Sequence, residues 1–223
     1  MLIKTINLTK TYTIDGDIQT PALRGVDIVI DKGEFVAIAG PSGSGKTSLL
    51  NLLGALDTPT SGSIFYEDID ITKIALNALS GFRLTQIGFV FQAYNLINTL
   101  TALENVEYIM LLKGVSADIR RKKAVDILAR VGLGDYINRF PRHMSGGQQQ
   151  RVAVARSIAA EPKVVLADEP TANLDSKTAE SLIELMKELN AEKGITFIFS
   201  THDKMVMDKA KRLINLHDGK VVS

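Results

Sequence analysis

Residues 40–47 constrain this chain more than any other segment. They follow an apolar run, 35–39, and precede a segment with helical character, 48–53. Glycines in such a loop let successive backbone N–H groups point at phosphate oxygens, and the following helix N-terminus adds partial positive charge. The loop and the residue after it are Gly40, Pro41, Ser42, Gly43, Ser44, Gly45, Lys46, Thr47 and Ser48. In this pattern the lysine reaches the β- and γ-phosphates and the threonine hydroxyl ligates Mg²⁺, which predicts a nucleotide-binding protein.

The composition is that of an ordinary globular protein. The 223 residues are 45% hydrophobic and 23% charged, enough for one large core or a core with a sizeable subdomain. A net charge of +1 gives no global field for nucleic acid, and the lack of cysteine excludes disulfides and thiolate metal sites. No stretch approaches the ~18 apolar residues that span a bilayer, so a role at a membrane would need another chain to supply the spanning part.

Four short apolar runs predict buried strands of a parallel sheet. They are Phe35–Ala39, Ile87–Phe91, Val164–Ala167 and Thr196–Ser200. The polar residues that follow them are, in order, the loop ending in Lys46, then Gln92, then Asp168 with Glu169, then His202. Ligands of open α/β sheets bind beyond the carboxyl ends of the strands. We therefore expect the polar residues that follow these four strands to lie together at one edge of the sheet.

The rest of the chain divides into other kinds of structure. Residues 1–34 alternate and carry turn signals at Asp15-Gly16 and at 31–33, which predicts β-hairpin structure added to that sheet. Residues of about 95–155 have helical periodicity and predict a helical subdomain inserted in the sheet. A further helix is predicted over 176–190.

A second helix N-terminus that can bind a phosphate group is predicted near residue 145. Ser145 and Gln148 have the spacing of a capping box, with Gly146 and Gly147 between them, and a helix through Ala160 follows. The two predicted anion sites either bind the same nucleotide or serve different ones. The structural alternative is a capped helix whose glycines allow close packing.

Asp168, Glu169 and His202 predict hydrolytic chemistry. Asp168, at the end of a strand, can hold Mg²⁺ through its waters, and Glu169 can orient or deprotonate the attacking water. His202 can hydrogen-bond a γ-phosphate and that water, although a lone histidine is also common as a structural residue. His143 and His217 are interpreted as structural.

Together these motifs resemble the ATP-binding subunit of ABC (ATP-binding cassette) transporters. The family's motifs correspond here to the phosphate loop 40–47, the glutamine loop at Gln92, the signature 144–148, the Walker B segment 164–169, the Asp-containing loop 172–175 and the switch His202. The resemblance implies an α/β P-loop NTPase (RecA-like) fold: a mixed sheet core, an N-terminal antiparallel β subdomain and an inserted α-helical subdomain. It implies one ABC ATPase domain over 1–223, with 1–94 and 156–223 as catalytic core and 95–155 as the helical signature subdomain.

The resemblance also implies roles for site residues, with ATP and Mg²⁺ bound. Tyr12 matches the aromatic that stacks on adenine; the alternative is a surface or hairpin aromatic. Gln92 joins Thr47 and Asp168 at the metal. The residues with catalytic roles are Glu169, His202, Lys46 and Gln92.

A second copy of the chain is the first partner that the resemblance implies. Ser145 and Gly147 of one copy contact the γ-phosphate held by Lys46 of the other, in a head-to-tail pair that ATP closes and hydrolysis reopens. Gly146, Gln148 and Asp175 belong to the same nucleotide site.

A narrower likeness is to the macrolide-exporter and lipoprotein-release branch. It is carried by the segments 56–62, 88–96, 145–151 and 167–175. It implies an integral-membrane permease as the second partner, contacted among Ala93–Leu103, and a cytoplasmic subunit held at the inner face of the cell membrane. The apolar residues of that segment form either a docking groove or core of the helical subdomain; they are Tyr94, Leu96, Ile97, Leu100 and Leu103.

The sequence disfavours two other functions. A soluble ABC ATPase that clamps nucleic acid or ribosomes usually has two cassettes, a long coiled coil or zinc-binding insertions, none of which is present in this sequence. The only basic run, Arg120–Lys123, is interpreted as a solvated helix face, so no nucleic acid is expected as a partner. The signature and His202 disfavour a small-molecule kinase.

Overall fold

A computed structural model describes residues 1–14 and 18–222, so the predicted turn at Asp15-Gly16 lies outside the described residues. The strands are β1 (Ile3–Ile14), β2 (Ile18–Val26), β3 (Val29–Ile30), β4 (Phe35–Ala39), β5 (Ser61–Tyr66), β6 (Ile69–Asp70), β7 (Ile87–Val90), β8 (Val164–Asp168), β9 (Thr196–Thr201), β10 (Arg212–His217) and β11 (Lys220–Val222). The α-helices are α1 (Lys46–Leu53), α2 (Leu76–Gln86), α3 (Ala102–Leu112), α4 (Ala117–Arg130), α5 (Gly146–Ala159), α6 (Ser176–Lys193) and α7 (Lys204–Lys209). Short 3₁₀ helices occupy Ile71–Lys73, Gly134–Tyr136 and Pro141–His143.

A six-stranded mixed sheet forms the centre, in the order β11-β10-β4-β9-β8-β7. Only β11 runs antiparallel to its neighbour; the other pairs are parallel. The four predicted buried strands correspond to β4, β7, β8 and β9, and all residues of β4 and β9 are buried. Their carboxyl ends meet at one edge, where Ala39 pairs with Thr201 and Asp168 with Ser200. The prediction of four strands that end at a common edge is confirmed.

A second, antiparallel sheet contains the N-terminal strands in the order β2-β1-β5-β6, with β3 also paired to β1. The prediction that residues 1–34 add to the central sheet was wrong. The chain returns after α1 so that β5 runs along β1, with Ile3 opposite Tyr66 and Thr9 opposite Ser61. This pairing makes the N-terminal strands part of a separate antiparallel sheet.

Two apolar cores cover the two faces of the central sheet. Alternate residues of β4 point to opposite faces, as a strand requires: Phe35 and Ala37 pack in the core with α3 to α6, while Val36 and Ile38 pack with α1 and the antiparallel sheet. The α1 helix therefore lies where both sheets can support it, directly behind the phosphate loop.

The chain between β7 and β8 is fully described and contains helices but no strand. Capping boxes start two of these helices, Thr101 with Glu104 for α3 and Ser145 with Gln148 for α5. The expected division at residue 155 falls inside α5, and the subdomain boundaries remain a prediction. Within the described ranges, every helix is too short or too polar to span a bilayer.

Candidate nucleotide-binding site

The phosphate loop connects the end of β4 to the start of α1. Gly45 precedes the helix with a φ of 103°, and a Cβ there would lie 2.5 Å from the carbonyl oxygen of Ala22. Only glycine tolerates both the left-handed backbone and this close approach. No side chain caps the helix at this residue, so its first N–H groups can donate to an anion.

Two polar groups of the loop fit a bound phosphate. Lys46 is only 5% exposed, and its Nζ donates hydrogen bonds of 2.9 Å to the carbonyl oxygens of Gly40 and Pro41. The hydroxyl of Ser44 is buried and has no hydrogen-bond partner among the described residues. An unpaired buried hydroxyl is costly, and Ser44 does not line the cavity at the loop, so its hydroxyl needs a shift of the loop to reach a phosphate oxygen.

The loop opens onto a cavity of about 290 Å³. Its walls are formed by Tyr12, Thr20, Pro21, Ala22, Ser42, Gly43, Gly45, Lys46, Thr47, Ser48 and Glu169. The predicted adenine-stacking residue, the phosphate loop and the predicted base thus border one space, although they come from β1, the β4–α1 connection and the end of β8.

A hydroxyl and a carboxylate meet beside the loop. Thr47 Oγ1 donates to Oδ1 of Asp168 over 3.2 Å, and the hydroxyl of Ser200 donates to the same oxygen. Oxygen ligands of this kind suit Mg²⁺, so the donor set fits the predicted metal.

Glu169 lies between two cavities. It also borders a second space of about 250 Å³ with His202, whose Nδ1 is 3.0 Å from Oε1 of the glutamate. Glu169 has a φ of 42°, an uncommon left-handed conformation for a residue other than glycine. Its backbone N–H donates to the hydroxyl of Ser200 at 3.0 Å, and the next carbonyl, of Pro170, accepts from Gln150 at 2.7 Å. The surrounding hydrogen bonds hold the strained residue in place.

Gln92 stands apart from this arrangement. Its side chain is exposed and makes no hydrogen bond with other described residues, while its carbonyl oxygen accepts from Asn173 at 3.0 Å. The structure does not bring the Gln92 amide to Thr47 or Asp168, and its role at the metal remains a prediction.

The signature forms the predicted capped helix end. The Ser145 hydroxyl accepts from the Gln148 N–H, and the Gln148 side chain accepts from the Ser145 N–H. The glycines also allow close packing, since a Cβ would lie 2.7 Å from the Tyr94 hydroxyl at Gly146 and 2.5 Å from the Thr178 side chain at Gly147.

Asp175 caps the neighbouring helix α6. It accepts from the hydroxyl of Thr178 at 2.6 Å and from its N–H at 3.0 Å, and these bonds hold the pKa of Asp175 below its usual value. Neither Asp175 nor any of 144–148 lines the cavity at the phosphate loop. Within one chain, the two predicted anion-binding helix ends therefore do not share a cavity.

The residues after Gln92 do not all fit one of the two interpretations of this segment, a docking groove or part of the core. Leu103 is 1% exposed and belongs to the core, and Leu96 packs partly against that core. Tyr94, Ile97 and Leu100 are half-buried.

A cavity of about 230 Å³ lies beside this segment. It is lined by Ile87, Gly88, Phe89, Phe91, Asn95, Ile109, Arg156 and Ser157. The Arg156 guanidinium donates to the carbonyl oxygens of Tyr94 and Asn95, which fixes the backbone at the cavity's rim.

Three polar residues that shape the site were not predicted from the sequence. Ser200, Gln150 and Asn173 each hydrogen-bond a predicted functional residue or the carbonyl next to one. Ser200 carried a usable signal, a polar residue inside an otherwise apolar strand. Gln150 and Asn173 lie within the motif segments 145–151 and 172–175, but those motifs assigned neither residue a role.

Comparisons with known proteins give the family. The model of the ABC transporter family matches residues 23–172. The ABC transporter ATP-binding protein MJ0796 of Methanocaldococcus jannaschii is 46% identical over 224 residues, covering 99% of this chain and 95% of that one. Its dimeric structure in a post-hydrolysis state, bound to ADP and Pi, covers 100% of this chain and 97% of that one, with a TM-score of 0.92 and 45% identity.

Two further relatives bear on the branch. The lipoprotein-releasing system ATP-binding protein LolD 1 of Rhodopseudomonas palustris is 43% identical over 221 residues, 99% of this chain and 98% of that protein. The macrolide export ATP-binding/permease protein MacB of Hyphomonas neptunium is 45% identical over 222 residues, 100% of this chain but 34% of that longer protein. The predicted P-loop fold and the narrower likeness are both confirmed, and the chain belongs to the ABC transporter family as one of its ATP-binding cassettes.

Proposed function

We propose that this chain binds and hydrolyses ATP as a subunit of a membrane ABC transporter, in which ATP closes two copies head to tail and drives a partner permease. The observation that carries the proposal is the cavity bordered by Tyr12, Lys46 and Glu169. Its lining includes an aromatic ring, a buried ammonium and a carboxylate, which suit a base, the phosphates and an attacking water in turn.

The loop and Lys46 bind the triphosphate. The uncapped N–H groups of α1 and the buried ammonium stabilise negative charge, and the ring of Tyr12 stacks on adenine. Thr47 and Asp168 would hold Mg²⁺, with Gln92 as a further ligand. When bound there, Mg²⁺ would supply positive charge that offsets the charge of the phosphates.

Glu169 acts as the base in hydrolysis. As the water oxygen attacks the γ-phosphorus, Glu169 accepts a water proton and the bond to the bridging oxygen breaks, giving ADP and phosphate. His202, within 3.0 Å of the glutamate, orients Glu169 and the water.

A second copy of the chain supplies contacts to the γ-phosphate that the cavity of one chain lacks. The signature lies outside the cavity, so Ser145 and Gly147 of a partner copy complete the γ-phosphate site. MJ0796 is dimeric in its solved structure, which supports this arrangement. Because the γ-phosphate contacts both copies only in the closed pair, ATP favours closure and ADP does not.

The permease binds beside Ala93–Leu103, where the cavity next to Asn95 and Arg156 is open. Through that contact the subunit is held at the cytoplasmic face of the cell membrane. The names of LolD 1 and MacB favour export or lipoprotein release over a soluble clamp on nucleic acid or ribosomes. Mechanotransmission, in which the permease moves an external domain, is the third mode that we propose for such a complex.

The test uses the Glu169→Gln protein as bait in detergent-solubilised native membranes, with and without Mg-ATP. We expect mass spectrometry to identify a multi-pass permease that is enriched only with Mg-ATP, and a Lys46→Ala bait to lose that enrichment. Recovery of soluble or nucleic-acid-associated proteins alone would contradict the transport role, as would salt-sensitive retention of RNA or DNA in filter binding.

A further inference from the structure

The side chains of Lys10, Tyr12 and Asp57 form a cluster next to the cavity, with Asp57 at its centre. The Tyr12 hydroxyl donates to Oδ2 of Asp57 at 3.0 Å, and Nζ of Lys10 donates to Oδ1 at 2.7 Å. The same ammonium donates to the carbonyl oxygen of Thr58 at 2.7 Å. Lys10 and Tyr12 come from β1, whereas Asp57 comes from the connection between α1 and β5.

The cluster is largely shielded from water. The side chains of Lys10 and Asp57 are 11% and 29% exposed. Burial raises the pKa of Asp57, but hydrogen bonds from Lys10, the Thr58 N–H and Tyr12 together outweigh it and leave the pKa below its usual value. The carboxylate of Asp57 is therefore ionised at neutral pH, and removing Lys10 would leave this shielded charge without its partner.

The ring of Tyr12 is restrained at two places. Its hydroxyl is tied to Asp57, and Nζ of Lys10 lies 4.8 Å from the ring centroid, over one face. A base can therefore stack only on the opposite face. Tyr12 borders the cavity of the phosphate loop, whereas neither Lys10 nor Asp57 does. The two charged residues act on the cavity through the tyrosine.

We propose that Asp57 and Lys10 are positioning residues that hold the Tyr12 ring in its base-stacking orientation and so set how much affinity the nucleobase contributes. The inference rests on the stacking role given to Tyr12 in the proposed function. A ring that is already fixed loses less conformational freedom on binding than a free one, which strengthens stacking without any new contact to the ligand.

The experiment compares two probes by calorimetry: Mg-ATP, and Mg-tripolyphosphate, which has the phosphates but no base. Tyr12→Ala should weaken Mg-ATP binding roughly tenfold or more, since stacking on an aromatic is worth about 1–3 kcal/mol per base. Tyr12→Phe, which keeps the ring and the Lys10–Asp57 pair, and Asp57→Asn should each weaken it by roughly three- to tenfold. Tripolyphosphate affinity should not change in any of them.

The double variant of Tyr12→Phe and Asp57→Asn identifies the shared contact. Asp57→Asn leaves one acceptor oxygen for the two donors Lys10 and Tyr12. If the contact between Tyr12 and Asp57 holds the ring, the double variant should bind Mg-ATP no more weakly than whichever single variant binds it less tightly. Asp27→Asn is the matched control, because Asp27 also accepts a hydrogen bond in the N-terminal sheet, from Asn7 N–H, but lies outside the cavity lining. It should bind both probes as the wild type does.

Four results would overturn the inference. Wild-type Mg-ATP affinity in Tyr12→Phe, or strictly additive losses in the double variant, would mean that the hydroxyl contact does not position the ring. Equal loss of both probes in Asp57→Asn would assign Asp57 to the stability of the loop instead. Wild-type affinity in Tyr12→Ala would remove the stacking role itself, and with it the inference, while leaving the phosphate site intact.

Discussion

The hydroxyl of Ser200 donates a hydrogen bond of 2.5 Å to Oδ1 of Asp168. The same hydroxyl accepts the N–H of Glu169 at 3.0 Å. One buried serine of β9 thus fixes both the carboxylate proposed to bind Mg²⁺ and the backbone of the proposed base. The relationship depends on the pairing of β8 with β9, which sets Asp168 opposite Ser200.

Ser200→Ala should lower kcat for ATP hydrolysis by about tenfold. The change leaves a buried N–H without an acceptor, which costs about 1–3 kcal/mol, and it frees the strained Glu169 to leave its reactive position. Steady-state kinetics should show a larger change in kcat than in KM. Ser157→Ala is the control, since Ser157 is a buried serine whose hydroxyl bonds only within its own helix. Equal kcat in the two variants would contradict a positioning role for Ser200.

Glu169→Gln should retain Mg-ATP binding but lose turnover by about 10²–10⁴-fold, because the amide cannot accept the water proton. The variant should accumulate as a dimer with Mg-ATP, measured by light scattering after size exclusion. Glu161→Gln, which changes a carboxylate paired with Lys123 on the surface, should hydrolyse ATP at the wild-type rate. Turnover by Glu169→Gln at the wild-type rate would show that another group removes the proton.

The pH dependence of stability should include a contribution from Glu67. Hydrogen bonds from Lys163 at 2.7 Å and Lys32 at 2.5 Å lower the pKa of Glu67 from 4.5 to about 2. Because the folded protein binds this proton more weakly than the unfolded chain, the stabilisation is fully present above pH 4.5 and is lost as the pH falls toward 2.

Urea unfolding of wild type and Glu67→Gln between pH 3 and pH 7 measures that contribution. The difference in unfolding free energy should be largest at neutral pH and should shrink below pH 4.5. Glu188→Gln, at an exposed position of α6, provides the comparison. A difference that does not vary with pH would rule out the ion pairs as its source.

Two glycines should respond oppositely to alanine. Gly81, in α2, has open space where a Cβ would lie, so Gly81→Ala should raise the free energy of unfolding by about 0.5–1 kcal/mol. At Gly88, in β7, a Cβ would lie 2.2 Å from the carbonyl oxygen of Ser157, so Gly88→Ala should lower it by about 1–3 kcal/mol. Chemical denaturation measures both, and effects of the same sign would contradict the packing seen between β7 and α5.

The central strands, and the polar residues that follow their carboxyl ends, could be predicted from the sequence. A short, continuous apolar run followed by a polar residue is typical of a buried strand that ends at a site, and few other structures have that pattern. It did not predict where the N-terminal strands pair. Alternation along β1 specifies which face is buried, but the partner, β5, is set by the path of the chain after α1. The same limit applied to Leu103, since an apolar residue suits a core and a docking surface equally.

At the site, the residues with reactive groups were predicted and those that hold them were not. Lys46 and Glu169 lie in motifs whose spacing is informative. Ser200 and Asp57 act through contacts that join positions far apart in the chain, at 31 residues for Ser200 and Glu169 and 45 for Asp57 and Tyr12. Such contacts depend on tertiary packing. The local pattern showed only that Ser200 is a polar residue in an apolar strand, and it did not indicate its partners.

The separation of the signature from the phosphate-loop cavity has a kinetic consequence. If each complete active site needs the cavity of one copy and the Ser145 end of another, a dilute chain is an incomplete catalyst. The hydrolysis rate should then rise with the square of protein concentration until pairs form, and linearly above that point. A permease that holds two copies side by side would abolish this second-order regime, so that assembly at the membrane itself acts as an activator.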